Sequence, residues 1–371
     1  MSIYWIIFTT LSISSGISIA QRNVNLNFIL FLSSFVLLLV FIGLRDQTGS
    51  DWNYYLDFYN SLGGFEVENN FEIGYYLFSK TFSLWGLDYK IYLFLCTLIY
   101  LVIFFYVFFK NKYSSLLVVL FYSSNLLALM GQARQVLAVA LCVLAGQFLL
   151  NGKKKYFIAM VLFASIFHKS ALIFLLAYFS PIYKYKNIHL ALLVSIAFFF
   201  EMISIDFNKS AVYISNYFPV IASQLIAYIS SPENSPIFFV EDPVIKILLF
   251  AKRILFGLLF IYCTKFIERF KNEYTFYLNN YLISLIIFLF LYGAFPAIAV
   301  RLSLYFYIYD IFLISLIVIN STAKYRHLFF FAVLLICSQR LATPLYNDAD
   351  YLIPYKGIFF INESVVKDMP R

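Results

Sequence analysis

The chain has 371 residues, of which 63% are hydrophobic and only 12% charged, with 45 Phe, 31 Tyr and a mean hydropathy of +0.84. Soluble proteins carry about 25% charged residues, so this composition excludes a soluble enzyme, a disordered chain and a nucleic-acid coat. The net charge of +8 does not restore a nucleic-acid reading, because the 27 Lys and Arg come in twos and threes between apolar stretches, the pattern that orients a multi-pass membrane protein.

A helix crossing the bilayer core needs about 20 mostly apolar residues. In chain order, candidate spans fall near 3–20, 26–44, 91–109, 114–131, 134–150, 190–205, 243–263, 279–298, 302–320 and 327–343. Two shorter runs, 156–167 and 170–182, meet at His168-Lys169-Ser170; they are either two tilted spans or a hairpin that turns inside the membrane or the protein. The expected fold is an all-α polytopic membrane protein of about 10–12 transmembrane helices, a single domain over 1–371. The first apolar segment has no basic leader and no small-residue cleavage site after it, so it is expected to remain as a helix. Cys96, Cys142, Cys263 and Cys337 each sit inside an apolar run, without C-x-x-C spacing, and read as packing residues.

The basic residues set the orientation. Arg22, Lys110 with Lys112, Lys153 to Lys155, Lys184 with Lys186, Lys265 to Lys271, and Lys324 with Arg326 fall on alternate sides of the spans, which makes that set cytoplasmic. The opposite loops are acidic: from Arg45 to Lys90 there are seven acids against three bases, and from Glu201 to Asp242 five against one. Two long extracytoplasmic loops, 45–90 and 206–242, follow, together with an extracytoplasmic tail at 344–371. Long loops among otherwise short connections are commonly lids or binding loops.

The first loop runs Arg45-Asp46-Gln47-Thr48-Gly49-Ser50-Asp51-Trp52-Asn53-Tyr54-Tyr55 and continues to Phe71-Glu72-Ile73-Gly74-Tyr75. Rings on which a sugar stacks, with carboxylates for its hydroxyls, suit a carbohydrate; an interfacial aromatic belt has the same composition. Arg134 and Gln135 interrupt an otherwise uncharged stretch on the extracytoplasmic side, where a cation is either an incidental turn residue or is kept for an anion. His168 and Lys169 place an imidazole and an ammonium between two short helices, as a structural histidine or as a titrating group in a wet recess. Arg301 and Tyr305 share a helix face, whereas Asp310 is about 180° away and about 13 Å deeper, so it needs another partner. Lys246 and Arg253, on one face of the 243–263 span, are the candidates, for a structural or a functional ion pair. The Asp348-Ala349-Asp350 triplet is too short to claim a metal, and no zinc spacing, Walker glycine pattern or G-x-S-x-G occurs.

Fixed cations near membrane ends, beside carboxylates and aromatics, fit a glycan on a lipid diphosphate, because guanidinium groups placed where the leaving diphosphate gains charge lower the barrier to glycosyl transfer. A base is then wanted for the attacking hydroxyl, and His168 or Asp51 is placed to serve.

At these same positions the chain resembles a known family. The stretch from Arg45 to Tyr55, the E-x-G-Y of Glu72 to Tyr75, Arg134-Gln135, the F-H-K-S-A-L of Phe167 to Leu172, Arg301 with Tyr305 and the late Pro354-Tyr355 look like the EpsG family, a branch of the Wzy-type O-antigen and capsule polymerases, in the same order over roughly residues 40–355. The resemblance implies a GT-C-like membrane glycosyltransferase that joins undecaprenyl-diphosphate-linked repeat units at the periplasmic face of the bacterial inner membrane. No cofactor, metal or nucleotide sugar is expected. The implied partners are lipid-linked oligosaccharide donor and acceptor, membrane lipids, and flippase and chain-length regulator proteins, with no nucleic acid. The expected catalytic residues are His168, Arg134, Arg301 and Asp51. Expected substrate contacts are Arg45, Asp46, Trp52, Tyr55, Glu72, Tyr75, Gln135, Lys169, Tyr305, Arg253 and Asp310. Arg134 and Arg301 are assigned to the diphosphate, Asp51, Trp52 and Glu72 to sugar, and His168 to base or phosphate contact. The rival reading is a lipid-linked oligosaccharide flippase, which should show internal repeats and a midplane site rather than charge gathered at one end.

Overall fold

The computed structural model of the chain describes residues 1–21, 23–62, 71–110, 114–180, 243–293 and 295–357. The expected span at 190–205, the loop 206–242 and the tail beyond 357 lie outside the described residues. Those residues build an all-α protein with no β-strand among them, and the one β feature described is an isolated antiparallel bridge between Arg45 and Gly357. The helices are α1 (Ser2–Ala20), α2 (Val24–Gly43), α3 (Trp52–Ser61), α4 (Ile73–Leu84), α5 (Tyr89–Phe109), α6 (Ser114–Gly131), α7 (Ala133–Leu150), α8 (Lys154–Phe167), α9 (Pro243–Cys263), α10 (Lys271–Leu291), α11 (Pro296–Tyr307), α12 (Tyr309–Asn320), α13 (Ala323–Asn347) and the single turn α14 (Ala349–Leu352). Among the described residues, eight stretches are long and apolar enough to cross a membrane: α1, α2, α5, α7, α9, α10, α11 with α12, and α13. The protein is a multi-pass membrane protein.

The chain divides into two compact units, Met1–Leu172 with Ser321–Arg371, and Ile173–Asn320. In the first, α7 packs on α8 and α5, α2 on α5, and α6 between α1 and α13. In the second, α10 is the hub against which α9, α11 and α12 pack.

Local chemistry explains some helix ends. Asn23 stops α2 from fraying by accepting from the amides of Asn25 and Leu26 at 3.0 and 3.2 Å, an N-cap that satisfies donors the helix leaves open. Pro296 stands at the start of α11, where its missing N–H costs nothing. The 45–90 segment, read from sequence as loop, carries two amphipathic helices, α3 and α4. They are too short to span and hold apolar rings against α5, as part of one aromatic core of Trp52, Tyr55, Phe58, Tyr59, Phe71, Tyr75, Tyr89 and Tyr92.

Three boundaries differ from the sequence expectation. The span set at 279–298 begins at Lys271 and ends at Leu291, because Asn279 and Asn280 do not end a helix here. Both are buried, Asn279 donating to the Ser180 carbonyl and Asn280 accepting from the Ser180 hydroxyl at 3.2 Å. The last span runs from Ala323 to Asn347, so the segment set at 344 starts inside a helix. The span set at 302–320 is part of α11 and α12, two helices separated at Ile308.

The two short runs meeting at His168 are confirmed as short. The 14 residues of α8 give about 21 Å at 1.5 Å per residue, and Lys169–Phe179 forms 11 residues of 3₁₀-helix, against a hydrocarbon core of about 30 Å. Between them His168 is extended, with φ −155° and ψ 113°. That break ends α8 at Phe167.

Candidate active site

Two glycines bring the separate motifs together. Gly49 has φ +115°, a region that residues with a Cβ avoid, and any Cβ there would run into the Met130 carbonyl. The turn after α2 therefore lies directly on the end of α6, one residue before the break that begins α7 and presents Arg134. Gly74, in the first turn of α4, lies on the backbone of Ile166 near the end of α8. This close approach sets Glu72, just ahead of α4, against His168, just past α8.

Glu72 is the centre of the site. Its Oε2 accepts from Arg134 Nη1 at 2.6 Å, and its Oε1 accepts from His168 Nδ1 at 2.9 Å and from the Lys169 amide at 3.3 Å. Arg134 also donates Nε–H to the Tyr55 hydroxyl at 3.3 Å, and its guanidinium lies 4.3 Å from the Phe71 ring centre and 6.0 Å from that of Tyr75. The site is thus a carboxylate held by a guanidinium that is itself held by aromatic faces, a combination that stabilises the cation.

Burial works to raise the Glu72 carboxyl, but the hydrogen bond from His168 and the charge of Arg134 outweigh it, and its pKa falls from 4.5 to about 2. An ionised Glu72 can only accept. His168 must then carry a proton on Nδ1, and in the tautomer with that proton alone the Nε2 lone pair is the acceptor. The His168 side chain keeps 19% of its surface exposed against 11% for Glu72, so the imidazole is the more accessible of the two. The Lys169 side chain stands exposed beside it.

The remaining expected residues separate by role. Arg45 is buried, and its Nη1 and Nε donate to the carbonyls of Ile42 at 2.6 Å and Thr48 at 3.2 Å; it closes the end of α2 and shapes the turn that carries Gly49. Asp46 pairs with Lys90 at 2.9 Å. Asp51 stands at the start of α3 without capping it, close enough for its charge to act on the Tyr55 phenol. Trp52 is buried edge-to-face on Tyr89, with ring centres 5.4 Å apart. Tyr75 and Gln135 are buried too. So the structure brings Tyr55, Glu72, Tyr75, Arg134, His168 and Lys169 together. Arg253, Arg301, Tyr305 and Asp310 belong to the other compact unit. There the Arg253 guanidinium stacks 3.5 Å from the Phe288 ring centre and 4.7 Å from that of Tyr307, and the buried Asp310 carboxylate acts on its charge. Asp310 thus lies near enough to Arg253 for its charge to be felt there, and no direct ion pair between the two is described. Among the described residues, no three His, Cys, Asp or Glu side chains gather as a metal site.

Sequence reasoning missed one buried cation and left a late motif without a place. Arg340, buried in α13, donates to the Ser124 hydroxyl of α6 at 2.8 Å; the one cation within the apolar run 327–343 was its available signal. The Pro354-Tyr355 segment also has a definite place. Tyr355 stacks on Phe41 with ring centres 4.7 Å apart and donates to the Phe41 carbonyl at 2.7 Å, while Asp46 N–H reaches the Lys356 carbonyl at 2.8 Å and Gly49 N–H the Tyr351 carbonyl at 2.8 Å.

These stitched motifs coincide with a family pattern. The model described as EpsG family matches residues 28–357. The chain belongs to the EpsG family. That family is associated with polysaccharide polymerases, and the match takes in every residue of the Glu72, Arg134 and His168 cluster. No curated protein and no solved structure matches the chain.

Proposed function

We propose that this EpsG-family protein is a membrane glycosyltransferase that lengthens a bacterial O-antigen, capsule or exopolysaccharide chain by joining repeat units carried on undecaprenyl diphosphate, at the periplasmic face of the inner membrane. The observation that carries the reading is the Glu72–His168 pair, a carboxylate fixing one imidazole nitrogen so that the other is an acceptor.

In this mechanism His168 Nε2 removes the proton from a sugar hydroxyl of the acceptor unit as that oxygen attacks the anomeric carbon of the donor chain. The new C–O bond forms while the anomeric C–O bond to the diphosphate breaks, and the lipid diphosphate leaves with the electron pair. Glu72 steadies the imidazolium that results, and Arg134 keeps Glu72 ionised and in place. Lys169, next to His168, is the nearest exposed cation for the developing diphosphate charge. Arg134 is already engaged by Glu72 and Tyr55, which favours an anchoring role over direct diphosphate contact. Arg301 is retained as a second candidate for the diphosphate.

The test is chain growth by the purified full-length protein in detergent, supplied with lipid-linked repeat units extracted from a host strain lacking the gene. A ladder of longer glycolipids, absent with His168→Ala, supports the polymerase. A flippase needs a sealed bilayer and makes no new bond. Failure of the wild type to produce a ladder in micelles, together with repeat units trapped on the cytoplasmic face of the deletion strain, would favour that reading instead.

A further inference from the structure

A separate cavity of about 620 Å³ opens among the 46–47 turn, α3 and the 83–90 segment that joins α4 to α5, and its lining includes none of Tyr55, Glu72, Arg134 or His168. Helical geometry explains the separation. At 100° per residue, Trp52, Leu56, Tyr59 and Asn60, all of which line the cavity, fall within about 100° of one another on α3. Tyr55, which touches Arg134, falls on the flank of that face. One short helix thus serves two places, through a shared aromatic core.

The walls are preformed. Tyr59 donates its hydroxyl to the Leu87 carbonyl at 2.8 Å, fixing α3 to the 83–90 segment, and the Asp46–Lys90 pair at 2.9 Å closes the other side. The size is within the range of small-molecule sites, about 300–1,000 Å³. Trp52, Tyr59 and Tyr89 lie in the walls, each less than a tenth exposed, and Asp46, Asn60 and Asp88 supply hydrogen-bonding groups. Trp52 is only 6% exposed, and its Nε1–H is buried without a hydrogen-bond partner among the described residues, which buried donors rarely lack. The charge excludes other ligands. Lys90 neutralises Asp46, and Asp88 leaves the cavity net negative, which disfavours a diphosphate or an acidic sugar.

We infer that this cavity is a second carbohydrate site, holding an uncharged stretch of glycan next to the Glu72–His168 centre. The carbohydrate chemistry follows from the cavity walls. Only the identity of the glycan, as the polymer being lengthened, rests on the polymerase reading.

The experiment uses full-length protein in detergent carrying Trp5→Phe and Trp85→Phe, which leaves Trp52 as the only one of the three tryptophans. It is titrated with lipid-free oligosaccharide released from the host polymer by mild acid. A saturable change in Trp52 emission is expected, unaltered by His168→Ala and weakened at least about tenfold by Asn60→Phe or Ser83→Phe, two separate fillings of the cavity at positions outside the core. The inference is overturned by an absent or unsaturable change, by a change that survives both fillings, or by equal responses to unrelated sugars such as sucrose, which would mean an adventitious additive only. A change lost with His168→Ala would place the glycan at the Glu72–His168 centre and overturn it as well. Binding that persists in a protein unable to build a ladder would instead retain this site and discard the polymerase.

Discussion

Gly74 lies on the backbone of Ile166, so closely that a Cβ at position 74 would stand 2.8 Å from the Ile166 carbonyl oxygen and overlap its side chain. The contact is two residues from Glu72 on one side and two from His168 on the other. It fixes the spacing of the acid and the imidazole through backbone, which no rotamer change can relieve.

Gly74→Ala should therefore push α4 from α8 and lengthen the Glu72–His168 hydrogen bond. A misplacement of about 1 Å at reacting groups costs on the order of 10²-fold in rate. The expected result is chain growth reduced to about that extent, with the variant still eluting as a single folded species. Wild-type ladders from Gly74→Ala would show that the spacing is immaterial.

Glu72 links the site to acid. Its carboxyl titrates at about 2 when folded against an ordinary 4.5, so the unfolded chain takes up the proton first. Its stabilising contribution is complete above about pH 4.5 and is lost as the pH falls towards about 2. Melting curves of wild type and Glu72→Gln should differ by a constant gap from neutral pH to about 5 and converge below it. A gap that stays constant to the lowest pH at which the protein remains soluble would mean that Glu72 is not held ionised.

Arg134 combines a charge with a shape. Arg134→Met leaves the half-buried Glu72 without its cation, a loss of about 1.5–3 kcal/mol for a hydrogen bond to a charged group. Arg134→Lys restores the charge but neither the stacking on Phe71 nor the Nε–H to Tyr55, and its melting temperature should fall between wild type and Arg134→Met. If Lys melts with the wild type, the planar fork contributes nothing.

Arg253 and Asp310 should behave as one unit. The single substitutions Arg253→Met and Asp310→Asn each remove one of the two charges, whereas the double substitution removes both. A double-mutant cycle of melting free energies is expected to show coupling of about 1–3 kcal/mol. Additive effects would separate the two residues energetically.

The spans were legible because a long apolar run has few readings in a membrane protein, and the errors fell where polarity misled. Asn279 and Asn280 look like a helix end and are instead satisfied inside one by Ser180 and Phe276. His168, Arg134 and Glu72 were all selected from sequence as site residues, yet their arrangement was not. Glu72 was assigned to sugar, and it turned out to hold Arg134 and His168, 62 and 96 residues away. A residue pattern records which groups are present, and contacts over such separations are decided by where Gly49 and Gly74 let backbones meet. Arg45 shows the converse: its charge suggested a ligand, but its guanidinium is engaged by two carbonyls of its own turn.

The clasp between residues 351–357 and the turn at 45–49 bears on the order of events during synthesis. The Arg45–Gly357 bridge and the bonds from Asp46 and Gly49 to Lys356 and Tyr351 join a turn made early by the ribosome to a segment made more than 300 residues later. Until α13 has been inserted and that segment has followed it to the same side, the turn that rests on Met130 lacks its outer support. The protein can therefore hold most of its helices in the membrane before the Glu72 cluster is assembled, and a nascent chain stalled short of residue 351 would be a membrane protein whose cluster lacks that support.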